Sequence, residues 1–137
     1  MKDNLIELHV RINAPIKNAW RVFTDREITK KIGGYYDTNW EIGSSFGFKK
    51  IGGDSLTNGV LLELVPYRLI KHSLFYPNSE RLMAVITYEF HDNEHVTILA
   101  GKEELTESLD KESYKDAVVG WEFALKQVKE IAESIES

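Results

Sequence analysis

The chain contains no cysteine. That excludes a disulfide framework, a thiolate nucleophile and any thiolate metal site, and it suits a reducing cytoplasm, the expected location. No run of ~18 apolar residues is present, so no segment is expected to insert into a membrane. Met1-Lys2-Asp3-Asn4 leads straight into strand-like alternation, without the apolar stretch of an export signal. Clustered positive charge is also scarce. Seventeen basic residues stand against 22 acidic ones, for a net charge of −5, and the densest basic runs are the pairs Lys30-Lys31 and Lys49-Lys50. Nucleic-acid affinity comes largely from neutralising phosphates with a basic face, so nucleic acid is not an expected partner.

Catalytic signatures are equally sparse. There is no Gly-x-Ser-x-Gly, no His-Glu-x-x-His, no Gly-x-x-x-x-Gly-Lys and no dinucleotide fingerprint. Gly33-Gly34 and Gly52-Gly53 lack a third glycine and read as turns. His91 and His95 stand four apart, but they flank an expected hairpin turn at Asp92-Asn93, where that spacing need not bring imidazoles together. No metal and no cofactor are implied, and an enzyme is the less favoured reading.

What the chain does have is aromatic bulk: 6 Phe, 3 Trp and 6 Tyr in 137 residues. Each buried ring removes roughly 150–250 Å² from water. The length fits one domain over residues 1–137, with no internal repeat or linker, and such a domain buries roughly two-thirds of its unfolded surface without a metal or disulfide.

Leu5 to Ile12 alternates with period two and predicts a half-buried strand. Asn13-Ala14-Pro15 reads as a helix start with a capping side chain, followed by Ile16, Ala19, Trp20 and Phe23 at helical spacing. Asp25 caps a second short helix carrying Ile28 and Ile32, which Gly33-Gly34 ends. From Trp40 onward the pattern is strand-like: Phe46 and Phe48; Val60, Leu62 and Leu64; Ile70, His72, Leu74 and Tyr76; Leu82 to Phe90; and Val96 to Leu105. Short polar turns between them indicate an antiparallel meander. Asp110 to about Ser134 is the clearest helix, with Tyr114, Trp121, Leu125, Val128 and Ile135 on one stripe, about 37 Å long at ~1.5 Å per residue. Such a helix needs a broad apolar surface to lie against. The expected architecture is therefore α+β: a curved antiparallel β-sheet of about six to seven strands wrapped around a long C-terminal helix, with two short helices after strand 1.

Ile12-Asn13-Ala14-Pro15 with Ala19-Trp20, the Trp40-Glu41-Ile42-Gly43 segment, the Gly59–Pro66 strand, and Gly120-Trp121 followed by Leu125 and Val128 are together similar to the START-like (SRPBCC) superfamily. They most resemble its branch of activators of a heat-shock chaperone's ATPase. The resemblance covers nearly the whole chain and implies a helix-grip fold. Members of that superfamily include lipid binders, hormone receptors, polyketide cyclases and co-chaperone domains, so fold does not select among these functions. Where many relatives carry a tryptophan near the end of the second short helix, this chain has Ile32-Gly33-Gly34-Tyr35-Tyr36.

A curved sheet and a single helix do not easily fill the space between them, and the leftover volume is expected to hold a small hydrophobic or amphipathic molecule. Candidate lining residues are Trp40, Phe46, Phe48, Leu62, His72, Leu74, Tyr76, Tyr88, Trp121 and Leu125. Gly33–Tyr36 and the Gly52-Gly53 turn would be mobile lips. Of Glu103 and Glu104, one should face inward at the rim, while Glu63 faces out. Two alternatives stay open: a chaperone-associated interaction module working through its surface, and a cyclase- or hydrolase-type enzyme using His72 or a pocket carboxylate. Either a monomer or a homodimer is compatible with the sequence.

Overall fold

Alternating burial, with Ile6 and Ile12 fully inside, makes the first strand, β1 (Leu5–Ile12). The computed structural model describes residues 3–135. Met1, Lys2, Glu136 and Ser137, the ends of the expected 1–137 domain and, for the first two, the start of the expected non-exported N-terminus, lie outside the described residues. After β1 come α1 (Ile16–Thr24), α2 (Arg26–Thr29) and a 3-10 turn (Lys30–Ile32). Six strands follow: β2 (Gly34–Thr38), β3 (Phe46–Lys50), β4 (Leu61–Val65), β5 (Leu69–Phe75), β6 (Leu82–Asn93) and β7 (Val96–Leu105). The long helix α3 (Lys111–Ser134) ends the order. The fold is an α+β helix grip, in which antiparallel strands β1-β7-β6-β5-β4 form one sheet and β2-β3 a second, two-stranded one.

Several local expectations are corrected. Gly34–Thr38, which includes the expected mobile lip, is a strand. Gly33 closes the 3-10 turn at φ 109°, a conformation that glycine adopts without a Cβ penalty, and this redirects the chain into pairing with Phe46–Lys50. The tyrosine lip is thereby tied into hydrogen-bonded structure. Asn13 does not cap α1, because Pro15 occupies the cap position, and the Asn13 N–H instead donates to Glu133 Oε2 at 2.8 Å. The hairpin between β6 and β7 turns at Glu94-His95, both at positive φ, rather than at Asp92-Asn93, which remain paired in the strand. Asp25 caps α2 as expected, its Oδ1 accepting the Glu27 N–H at 3.1 Å.

Helix α3 is pinned at its two ends. Asp110 Oδ1 accepts the Ser113 N–H at 2.8 Å, and the Tyr114 hydroxyl donates to the Leu5 carbonyl at 2.7 Å. At the far end the Asn18 amide, from α1, donates to the Ala132 and Ile135 carbonyls at 3.2 Å each. Leu125, Val128 and Ala132 are the buried residues of the helix, and they pack the C-terminal half against β1 and α1. The middle is different. Val119 is 56% and Phe123 62% exposed, and Ala124 is exposed as well. The helix therefore buries its apolar side chains fully only along its second half, while Tyr114 and Trp121 hold the first half to β1 and β7.

Candidate functional site

Beneath the middle of α3 lies a cleft of about 200 Å³. Its walls come from five places in the fold. Phe23 stands on α1 and Ile32 on the 3-10 turn; Tyr36 and Phe48 come from the small sheet, and Tyr88 from β6. Trp121, Ala124, Leu125 and Val128 close it from α3.

The aromatic walls touch one another in sequence. Ring centroids lie 5.7 Å apart for Trp121–Tyr88, 4.8 Å for Tyr88–Phe23, 5.9 Å for Phe23–Tyr36 and 5.1 Å for Tyr36–Phe48. Such separations are those of favourable offset or edge-on ring pairs. Tyr36 and Tyr88 bring the polar groups. Burial pushes the Tyr36 phenol up to about 12, partly offset by the Tyr88 hydroxyl beside it. Burial, then the proximity of Tyr36 and Glu103, raises Tyr88 well above its ordinary value. Both phenols are neutral at physiological pH and available as hydrogen-bonding groups.

Trp121 is placed by two features of β7. Its indole lies on Gly101, where any Cβ would enter the ring, and its Nε1–H donates to Glu103 Oε1 at 2.8 Å. Glu103 is thus the inward-facing member of the Glu103-Glu104 pair. Gly101→Ala is expected to swing the indole outward and break this bond, with a loss of ~1–3 kcal/mol as for other overpacked sites. Tryptophan emission should shift to the red in the same variant. Unchanged stability and emission would show that the indole is not seated on this glycine.

Of the residues anticipated from sequence, Phe48, Tyr88, Trp121 and Leu125 line the cleft. Trp40, Phe46 and His72 sit one layer behind it. Phe46 packs against Tyr36, with centroids 5.2 Å apart, and stacks on His72 at 4.3 Å, while Trp40 lies 5.6 Å from Phe46. The His72 Nδ1–H donates to the Ser73 carbonyl at 3.0 Å, leaving Nε2 as a lone-pair acceptor. Burial pushes this imidazole down to about 4, against the raising effect of that backbone bond, so it is neutral near pH 7.

Three candidates lie elsewhere. Leu62 is 37% exposed, because a register shift between Leu61 and Glu63 turns Leu61 inward in its place. Leu74 pairs with Ala84 farther along β5 and is not a wall of the cleft. Tyr76 follows the end of β5, where the Arg81 guanidinium covers its ring at 4.2 Å and its hydroxyl donates to Glu107 Oε2 at 3.2 Å. Sequence reasoning missed Phe23, Ile32, Tyr36, Ala124 and Val128 as walls. The helical stripes of α1 and α3 carried the signal for Phe23, Ala124 and Val128, but nothing in Tyr35-Tyr36 marked which ring turns inward.

None of the curated proteins matches the chain significantly. Solved structures share its fold at low identity. CalU16 from Micromonospora echinospora is 20% identical with a TM-score of 0.75, over 97% of this chain and 76% of that one. DynU16, described as a putative protein in the dynemicin biosynthetic locus, is 13% identical with a TM-score of 0.82, over 96% of this chain and 48% of that one. ChR145 from Cytophaga hutchinsonii is 20% identical with a TM-score of 0.76, over 97% and 96%. Likeness at these identities speaks to architecture, whereas the family model is matched in sequence from the end of β1 almost to the end of α3. The chain belongs to the family of Activator of Hsp90 ATPase homolog 1-like proteins, whose model matches residues 13–133.

Proposed function

We propose that the protein binds a small hydrophobic or amphipathic molecule in the cleft between the small sheet, α1 and α3. The observation that carries this reading is the cleft beneath the middle of α3, about 200 Å³ left unfilled behind a half-buried tryptophan. An apolar ligand covering ~200 Å² gains about 5 kcal/mol from burial at ~25 cal/mol per Å², part of which association itself consumes. Binding no tighter than ~0.2 mM is the matching scale for burial of that size. DynU16, which shares the fold, is placed by its description in a biosynthetic locus, and that setting is in keeping with this reading.

The test is a fluorescence titration with a panel of apolar compounds. Trp121 should be quenched saturably, and Ala124→Phe should abolish the effect without altering stability, because Ala124 is an exposed wall of the cleft. Absence of saturable quenching across the panel would sink the reading.

One feature favours a second reading, an interaction module of the kind the family's name describes. Val119 and Phe123, one helical turn apart on α3, present their side chains to solvent. That reading requires chaperone binding that Val119→Lys and Phe123→Lys remove and Ala124→Phe does not.

A further inference from the structure

Taking the cleft to be a ligand site, as just proposed, we infer that it is an aromatic cage for the cationic ammonium group of an amphiphile. Trp121, Tyr88, Phe23, Tyr36 and Phe48 form an unbroken series of rings around one small volume. Among the described residues, no lysine, arginine or histidine is a wall of the cleft. A carboxylate does stand at the edge: Glu103 offers one oxygen to the Trp121 indole. It also walls a second depression, of about 240 Å³, together with Ala117, Gly120, Tyr88 and the far side of Trp121. Trp121, Tyr88 and Ala124 wall both depressions, so Glu103, bonded to the indole, stands at their shared edge.

The charges decide among ligand classes. An anionic head, such as a fatty acid carboxylate, would lose its hydration in the cleft with no cation to replace it, and would face Glu103. A neutral apolar molecule would gain burial alone. An ammonium would gain the attraction of ring faces, which suits quaternary ammonium groups above all. It would also gain the carboxylate at the rim, and the net charge of −5 favours its approach. Aromatic walls also allow the apolar remainder of such a molecule to pack beside its head.

The experiment titrates the full chain with three matched probes: benzyltrimethylammonium, its uncharged carbon isostere neopentylbenzene, and phenylacetate. Binding is read by calorimetry and by the Trp121 indole N–H resonance. The cation is expected to bind at least tenfold more tightly than the isostere, with phenylacetate weakest. Glu103→Gln keeps an acceptor for the indole but removes the charge, and should cut the preference for the cation severalfold while leaving the isostere unchanged. Equal binding of cation and isostere, tight binding of phenylacetate, or an unaltered preference in Glu103→Gln would each overturn the cage while leaving an apolar cleft standing. Failure of all three probes and of the apolar panel would overturn both readings.

Discussion

Phe46→Ala is expected to lower the unfolding free energy by ~3–5 kcal/mol, the range for truncating a fully buried aromatic ring. The ring is 2% exposed and sits at the junction of three others, 5.2 Å from Tyr36, 5.6 Å from Trp40 and 4.3 Å from His72. These neighbours come from different elements, so the void cannot close by a shift of one side chain. Against a total of ~5–15 kcal/mol, such a loss leaves the domain marginal. Denaturant unfolding checks it through a fall in midpoint at constant slope. A loss under ~1 kcal/mol would mean that the small sheet collapses onto the main one, a possibility the rigid ring cluster argues against.

Acidification should remove about 3 kcal/mol through His72 alone. In the unfolded chain its imidazole takes a proton near ~6.5, whereas burial pushes the folded value down to about 4. Between these values the unfolded state binds a proton that the folded state does not, so the equilibrium moves toward unfolding as pH falls. The stability is intact above ~6.5, declines by ~1.4 kcal/mol per unit through the window, and levels off near ~4. His72→Phe keeps a ring on Phe46 and should flatten the curve across this window. A wild-type profile as flat as the variant's would show that the imidazole is not held neutral. The carboxylates of Asp37, Asp110 and Glu133 act in a lower range. They are held below their usual values chiefly by the Lys49 ammonium, the Ser113 backbone N–H and the Lys129 ammonium, respectively. Their contribution is present above ~4 and is lost as pH falls through the depressed values.

The neutral state of His72 also bears on chemistry. Its ring is stacked on Phe46 behind the cleft, with Nδ1 committed to the Ser73 carbonyl. The acid–base role considered for it on sequence grounds finds no support in that placement, since Tyr88 and Phe46 stand on either side of it.

Period and punctuation alone determined much of this protein. The stripe from Tyr114 to Ile135 defined α3 and its Asp110 cap, alternation defined β1 and β6, and Asp25 announced α2, because helices and strands repeat at fixed steps and a capping oxygen acts on its own neighbours. Tertiary structure decided the rest. Whether Leu61 or Leu62 turns inward depends on a register shift against β5 that no local pattern encodes. Tyr36 became a wall because Gly34–Thr38 pairs with β3, a contact made across a loop and not read from either segment alone. Gly101 gained its meaning only when Trp121, twenty residues later, came to rest on it. The cleft exists where the middle of α3 meets α1, the small sheet and β6. Its walls are far apart in the chain, so no single segment carries it.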